Sequence, residues 1–426
     1  MSACFSGIRN ISFLELAPAT HHVVIMLLLF FIFIIALGLG NKKRKRFKIE
    51  LRILHSSDWH LGRFLNSFSL IDDQAHFLKW LLSLLKNERI NLLVVAGDIF
   101  NTATPSAEAV SLLDEFLTKA VLELKVKVLM VSGNHDSARK LGFSSKILQK
   151  GGLFVAGGLS GLEKFSFSSS FGKVQVCMMP FFSLVEAREF FKLKKNCEAG
   201  QVFELILNKF NLNSNEWSGC FNLLCAHGLF VGQGHGLNFC DSELIVGGSE
   251  AFNLGLFKNF DYVALGHLHG PQRAGENGFY SGSPLKYSIS EVNHRKQVSI
   301  VEVQSESMFK TSPVFVEPLH DLRVLQGSFC ELMEQKSNDY VSLRLTDSNF
   351  IINSYSRLQE RFPNILDIKF INLNFESSGE LKSFKANKPY DLFFNFYEDI
   401  IGREMNKVER KIFAEVVEGL KKNETN

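Results

Sequence analysis

The chain has 426 residues, of which 46% are hydrophobic, so it is long enough to form two domains around a large buried core. Its seven cysteines include no Cys-x-x-Cys pair, which argues against a disulfide framework or a structural zinc site and fits a reducing cytoplasm. The net charge of +3 comes from residues 1–50, which carry seven Lys/Arg and two Glu, because residues 51–426 hold 40 basic and 42 acidic side chains. This balance excludes a strongly basic protein, and contact with nucleic acid would need a local patch, metal ions or a partner.

The first 50 residues contain an uncharged, almost wholly apolar run of 17 residues at 23–39, followed by a basic cluster at 42–46. The run approaches the length of about 20 residues that a membrane helix needs, and the basic cluster would keep its C-terminal side in the cytoplasm. It could instead be a buried helix. A third interpretation, which we slightly favour, is that residues 1–50 are absent from the mature protein, because a leucine codon can start translation and the first predicted strand starts at Leu51.

The next part of the chain alternates between strand and helix patterns. Strands are predicted at residues 52–55, 92–96 and 126–131, where the runs are short, apolar and rich in β-branched residues. Helices are predicted at residues 70–85, where apolar side chains share one face, and from Pro105 and Ser106 onward. This order is typical of a parallel α/β sheet, in which ligands bind at the carboxyl ends of the strands.

Beyond residue 150 the predicted strands become shorter and more frequent. They cover residues 153–156, 174–179, 222–226, 262–265, 278–280 and 297–303, while residues 184–215 look helical or irregular. After residue 317 the pattern is mixed, with strands at 340–345 and 368–375 and helices at 350–362 and 393–420. We therefore expect a leader at 1–50, a main domain at 51–316 and a smaller domain at 317–426.

Metal-binding residue types follow the ends of five predicted strands. They are Asp58, His60, Asp98, Asn134, His135, His227, His267 and His269. An isolated Asp-x-His is more often a helix cap with an incidental histidine, and a single Gly-Asn-His-Asp turn is more often an ordinary surface turn. The eight together are hard to explain by packing, and carboxylate, imidazole and amide ligands suit Mn²⁺, Fe²⁺ or Zn²⁺. They exceed the roughly four to six ligands of one ion, so we predict two metals that share a carboxylate.

The spacing of these motifs resembles that of the calcineurin-like metallophosphoesterase superfamily. The motifs are Asp-x-His at 58–60, Gly-Asp at 97–98, Gly-Asn-His-Asp at 133–136, a later histidine, and Gly-His-x-His at 266–269. Longer matches at 52–62, 96–100, 132–137 and 264–269 are similar to the nuclease subunits of bacterial exonucleases. The resemblance spans residue 52 to about residue 284 and is weaker in the tail from residue 317. It implies a metallophosphoesterase β-sandwich flanked by helices, with a small C-terminal α+β capping domain.

The resemblance also implies residue roles. One metal would be held by Asp58, His60 and His269, the other by Asn134, His227 and His267, with Asp98 as the bridge. His135 would act as general acid or charge stabiliser, a role that typically contributes about 10²–10⁴-fold. Asn101 stands where the eukaryotic-type relatives have a histidine. Whether this position helps to orient DNA or phosphate is therefore in doubt. Asp136 would fix the turn or His135, with a plain helix cap as the alternative.

The implied activity is a metal-dependent DNA nuclease with two divalent ions, Mn²⁺ being the expected metal. It would combine double-strand 3′–5′ exonuclease and single-strand or hairpin endonuclease activity, and would work with a large ATPase as a homodimer within a heterotetramer. The chain has no Gly-x-x-x-x-Gly-Lys-Ser/Thr loop, so ATP would have to bind another subunit. The alternatives are a phosphoesterase for small phosphodiesters or phosphoproteins and a non-catalytic scaffold, which would need a broken ligand set.

Overall fold

A computed structural model of the protein describes residues 51–169, 172–195, 197, 199–210, 217–234, 236–241, 251–349, 351–372, 393–394, 397 and 402–414. The apolar run at 23–39 lies outside these residues. The strands, in chain order, are β1 Leu51–Ser56, β2 Phe64–Leu65, β3 Phe68–Ser69, β4 Leu92–Ala96, β5 Lys127–Val131, β6 Leu153–Ala156, β7 Glu163–Ser168, β8 Lys173–Met179, β9 Cys220–His227, β10 Phe230–Val231, β11 Phe252–Asn253, β12 Tyr262–Gly266, β13 Gln272–Arg273, β14 Gly278–Tyr280, β15 Gln297–Ser305, β16 Met308–Phe315, β17 Leu322–Gly327, β18 Tyr340–Leu345 and β19 Ile365–Phe370.

The helices contain fewer residues in total than the strands, and most of them lie between strands in the sequence. They are α1 Ile71–Asn87, α2 Ala107–Thr118, α3 Ala138–Leu141, α4 Ser145–Leu148, α5 Leu184–Phe190, α6 Ala199–Phe210, α7 Phe329–Met333 and α8 Ser354–Gln359. Ser106 caps α2 by accepting a hydrogen bond from Ala109 N at 3.3 Å. Of the helices that the structure describes, none combines the length and the apolar character that a bilayer span requires.

Two six-stranded sheets form the centre of the fold. The first has the order β16-β15-β1-β4-β5-β6, with β1, β4, β5 and β6 parallel and β15 antiparallel to β1. The second has the order β13-β14-β12-β9-β8-β7, with β8, β9, β12 and β14 parallel. Of these parallel strands, β1, β4, β5 and β12 are followed by loops that carry predicted metal ligands, and β9 ends on His227.

Alternate residues of the central strands point to different layers. In β4, Leu92 and Val94 join a core that also contains Val176 and Leu223 of the second sheet, while Leu93 packs on the opposite side. The outer face of the first sheet is covered by α1 and α2, and the outer face of the second by α5 and α6. The result is the predicted β-sandwich flanked by helices. Burial on both faces explains why these strands read as continuous apolar runs in the sequence.

The C-terminal part contributes a separate three-stranded sheet with the order β17-β18-β19, in which β17 and β18 are parallel. The described residues divide into two compact units, one within residues 1–345 and 352–369 and the other within residues 346–351 and 370–426. The three-stranded sheet thus belongs largely to the first unit. In the second unit Arg403 forms an ion pair with Glu409 at 2.8 Å.

Most strand predictions agree with the structure to within three residues at each end, but several elements and boundaries differ. Besides the two-residue strands, the sequence does not predict β7, β16 and β17, and all three carry partly exposed residues that break the apolar pattern. The predicted helix at 350–362 is only the short α8, and the strand predicted at 368–375 lies earlier, as β19. The helix predicted at 393–420 is not continuous: of its described residues, 393, 394, 397 and 407–414 are helical, but residues 402–406 are not.

Candidate active site

The loops after β1 and β4 are joined by backbone hydrogen bonds, and this brings the first predicted ligands together. Asp58 N donates to Gly97 O at 3.0 Å, and His60 N donates to Asp98 O at 2.9 Å. Between them, Trp59 is fully buried and packs its ring edge-on against Phe116 of α2, with ring centres 5.3 Å apart. The tryptophan anchors the first loop in the helical layer while its neighbours face the site.

Four of the predicted ligands have left-handed backbone conformations. The φ angles are 53° at Asp58, 46° at His60, 49° at Asp98 and 113° at His267. Such conformations cost about 1–3 kcal/mol each and persist where the surrounding structure enforces them, frequently at functional sites.

Asp58, His60 and His269 form the first donor group. Their ligand atoms lie within 4.8 Å of one another, and the Nε2 atoms of His60 and His269 are 3.2 Å apart. Ser57 Oγ donates to Asp58 Oδ2 at 2.6 Å, and His267 N donates to Asp58 Oδ1 at 3.0 Å, which fixes the carboxylate.

Asn134, His227 and His267 form the second donor group. Asn134 Oδ1 lies 3.0 Å from His227 Nε2 and 3.2 Å from His267 Nδ1. His227 Nδ1 donates to Ala96 O at 2.8 Å, so in the neutral ring Nε2 carries a lone pair. Two acceptor atoms then face each other, an arrangement that a cation between them would stabilise. This donor set fits a divalent metal.

Asp98 lies between the two groups. Its Oδ2 is 3.6 Å from His60 Nε2 and 3.6 Å from His227 Nε2, one histidine from each group. Its Oδ1 accepts a hydrogen bond from His135 N at 2.9 Å. The structure therefore brings all seven predicted ligands together, with one carboxylate in the middle.

Three buried histidines of the site, His60, His227 and His267, are held in the neutral form. Burial lowers the pKa of His227, and burial together with the neighbouring imidazoles of His269 and His135 lowers that of His60 well below its usual value. Burial and the nearby His227 ring lower the pKa of His267 to about 3. Neutral imidazoles keep a lone pair for a metal ion at physiological pH.

His135 is partly exposed beside the first donor group, with its ring centre 4.8 Å from that of His60. Its Nδ1 donates to the main-chain carbonyl of Asn101 at 3.0 Å, which fixes the ring and leaves Nε2 for proton exchange. Asn101 therefore orients His135 through its backbone. Because the contact uses the backbone, it does not depend on which side chain stands at position 101.

The Asp136 carboxylate joins two loops. It accepts hydrogen bonds from Gly133 N, Ile99 N and Phe100 N at 2.9–3.0 Å, and it does not cap α3, whose N-cap is Ser137. Burial and the nearby Asp98 charge raise its pKa to about 7.

Two glycines of the motifs are required by close packing. A Cβ atom at Gly133 would overlap the Asp98 carboxylate, and one at Gly266 would overlap the carbonyl of Ala96. The glycines thus let the loop after β5 approach the loop after β4, and the end of β12 approach the end of β4.

Glu291 and Lys296 are site residues that the sequence analysis missed. Glu291 Oε1 accepts a hydrogen bond from His269 Nδ1 at 3.1 Å, and Glu291 Oε2 pairs with Lys296 Nζ at 2.5 Å. Burial alone would raise the pKa of Glu291, but Lys296 and His269 hold it below its usual range. A carboxylate behind a ligating histidine orients the ring. Glu291 follows no predicted strand, so no sequence signal marked it.

Cys240 also has its sulfur within 4.8 Å of the ligand atoms of His269 and Glu291, although no thiolate was predicted near the site.

A buried cluster of histidine, aspartate and asparagine at the strand ends of a four-layer sandwich defines a metal-dependent phosphoesterase. A family model described as Calcineurin-like phosphoesterase matches residues 51–271, and one described as Type 5 capsule protein repressor C-terminal domain matches residues 318–400. A protein from Staphylococcus epidermidis, named as the SbcD subunit of nuclease SbcCD, is 30% identical over 84% of this chain and 96% of its own length. Its namesake from Staphylococcus saprophyticus is 29% identical over 87% of this chain and 100% of its own. The chain belongs to the SbcD family of the calcineurin-like phosphoesterases.

A solved structure described as a dimetal phosphatase from Danio rerio is also similar. It has a TM-score of 0.39 and 13% sequence identity, and the match covers 64% of this chain and 98% of that one.

Proposed function

We propose that the protein is a metal-dependent DNA nuclease that works with an SbcC-like ATPase in DNA repair and recombination. The observation that carries this proposal is the position of Asp98 between two donor groups, at 3.6 Å from a histidine of each. The similarity over most of the chain to proteins named as SbcD subunits of nuclease SbcCD supports the choice of substrate. The proposed activities are double-strand 3′–5′ exonuclease and single-strand or hairpin endonuclease.

The proposed metal ligands are Asp58, His60 and His269 for one ion, Asn134, His227 and His267 for the other, and Asp98 for both. Two bound divalent ions, with Mn²⁺ as the proposed metal, would supply Lewis-acid activation of water and charge stabilisation at a phosphodiester. Neutral imidazoles, ionised carboxylates and an amide oxygen are the donors such ions require.

His135 is the proposed catalytic residue. Because its Nδ1 keeps a proton that it donates to the Asn101 carbonyl, its Nε2 is the atom that would take up a second proton and, from the protonated ring, give it to the leaving oxygen. The backbone N–H of His135 also donates to Asp98 Oδ1, which ties the position of the acid to the central carboxylate. Asp136, through three backbone N–H groups, would hold this turn in place.

The proposed partners are DNA and an SbcC-like ATPase subunit, within a heterotetramer that contains a homodimer of this chain. The absence of a nucleotide-binding loop from the sequence supports a separate ATPase. Residues 51–316 would form the nuclease domain and residues 317–426 the domain that shapes the DNA site and binds the partner.

The test is a Mn²⁺-dependent cleavage assay on the purified full chain, with and without the ATPase partner. Linear and hairpin DNA are compared with a small chromogenic phosphodiester, and the His135→Ala protein is the control. We expect the wild-type protein to cleave DNA and the His135→Ala protein not to cleave it. Hydrolysis of the small ester without any DNA cleavage, even with the partner present, would favour a phosphoesterase for small substrates or phosphoproteins instead.

A further inference from the structure

Arg63 lies beside the candidate metal site without belonging to it. Arg63 N donates to His60 O at 3.0 Å, and Arg63 O accepts from Leu70 N at 3.0 Å, so its backbone is fixed on both sides. Its Nη1 donates to Asn101 Oδ1 at 3.1 Å, and its guanidinium carbon lies 5.4 Å from the centre of the Tyr287 ring. A hydrogen-bonded tether and an aromatic ring together hold the guanidinium in one orientation.

The charge of this guanidinium is not neutralised within the described part of the chain. Arg63 forms no salt bridge with any described residue, and its Nε is buried there without a hydrogen-bond partner. An arginine has five N–H donors, of which the Asn101 contact uses one. A fixed guanidinium with no carboxylate partner among the described residues is suited to bind a carboxylate or phosphate.

The surroundings of Arg63 indicate which anion would bind. The Tyr287 ring that it faces lies edge-on to His60, with ring centres 5.4 Å apart, and to His269, with ring centres 5.7 Å apart. One aromatic ring, that of Tyr287, thus contacts both the guanidinium and two histidines of the first donor group. It makes no hydrogen bond to His135 or to a side chain of the seven candidate ligands within the described residues. An anion held by Arg63 would lie next to the reacting group rather than at it.

Building on the proposed nuclease function, we propose that Arg63 binds a backbone phosphate that neighbours the scissile phosphodiester, and that Asn101 positions it. Asn101 serves both ends of the site, because its carbonyl orients His135 while its side chain orients Arg63. Arg63 would therefore favour a polynucleotide over a small ester, which has no second phosphate. This contact also gives the side chain of Asn101 a role of its own.

The test measures kcat and KM of the full chain with Mn²⁺, on an oligonucleotide and on bis(p-nitrophenyl) phosphate, at several salt concentrations. Arg63→Ala should raise KM for DNA about tenfold, the size of one hydrogen-bonded charge contact, and leave kcat unchanged. The slope of log(kcat/KM) against log salt should fall by about one, because one phosphate contact is lost. Turnover of the small ester should not change.

Three further variants separate this role from a structural one. Arg63→Lys should keep the salt slope, since the positive charge remains. Asn101→Asp would place a carboxylate against the guanidinium and should raise KM for DNA and lower the salt slope, as Arg63→Ala does. Lys79→Ala, on an exposed position of α1, removes an unrelated positive charge and should match wild type.

Each outcome has a distinct meaning. Suppose that the wild-type protein cleaves DNA. If Arg63→Ala then loses activity equally on both substrates, or keeps the wild-type salt slope, the role of Arg63 is overturned and the nuclease proposal remains intact. A wild-type protein that hydrolyses only the small ester would overturn both. If Arg63→Ala fails to retain metal, Arg63→Lys and Asn101→Asp decide the question by the same slope.

Discussion

Asp73 and Gln74, consecutive residues near the start of α1, join the metal-site loop to the C-terminal sheet. Gln74 Nε2 donates to His60 O at 2.8 Å, and its Oε1 accepts from Gly62 N at 2.9 Å. Asp73 Oδ2 accepts from Tyr340 Oη at 2.9 Å in β18, and Asp73 Oδ1 lies 3.1 Å from His320 Nδ1. Both side chains are buried, so one turn of helix fixes the ligand loop and β18 relative to each other.

We predict that Asp73→Ala destabilises the protein by about 3 kcal/mol, because it leaves the Tyr340 hydroxyl and His320 without their buried acceptor. Urea unfolding followed by fluorescence would measure this loss. Asp72→Ala is the matched control, since Asp72 is exposed in the same helical turn. Equal midpoints for the two variants would show that the buried carboxylate does not stabilise this junction.

Asp98→Ala should abolish metal binding and activity together, because its carboxylate lies between both donor groups. The metal content of the purified variant, measured by inductively coupled plasma mass spectrometry, gives the answer directly. Two bound ions per chain in the variant would contradict the bridging role.

His135→Ala should retain the metal ions and lose about 10²–10⁴-fold in kcat, because the ring is proposed to transfer a proton and not to bind metal. Metal content and single-turnover rates on the same sample separate the two roles. Loss of metal from this variant would instead make His135 a ligand.

Glu291→Gln should weaken metal affinity about 10–100-fold without removing any ligand, because the carboxylate orients His269 and balances Lys296. Titration of the metal-free protein with Mn²⁺ would measure the change. Glu306→Gln, at an exposed position directly after β15, serves as the control. Unchanged affinity in Glu291→Gln would mean that the ring of His269 needs no support from this carboxylate.

Stability should decrease as the pH falls from about 6.5 toward 3, through His55. This ring is fully buried between Tyr262 Oη at 3.0 Å and Leu265 O at 3.1 Å, and burial lowers its pKa to about 3. Below pH 6.5 the unfolded chain binds a proton that folded His55 does not, so unfolding becomes more favourable as the pH decreases. Above that range the contribution of His55 to stability is constant.

Urea midpoints at several pH values, in the presence of a chelator, would test this dependence. In His55→Gln the slope below pH 6 should be smaller by about 1.4 kcal/mol per pH unit, the value for one proton. Identical slopes in the two proteins would show that His55 titrates alike in the folded and unfolded states.

The sequence by itself determined which residues could form the site. Continuous apolar runs such as residues 92–96 predict strands that are buried on both faces, and ligand-type residues after such strands must meet at one sheet edge. That reasoning placed Asp58 and Asn134 at the same edge, although they are 76 positions apart in the sequence. The sequence also showed the glycines of the motifs, but not the close contacts with Asp98 and Ala96 that require them.

Only the tertiary structure decided how these residues are held. The left-handed backbone at Asp58 and Asp98 depends on hydrogen bonds between two loops, which no local pattern encodes. Glu291 and Arg63 also escaped prediction, because each acts through contacts with residues distant in sequence, at His269 and at Asn101. Local sequence carries hydrophobic period and residue chemistry, whereas the pairing of side chains across loops is fixed only when the two sheets pack together.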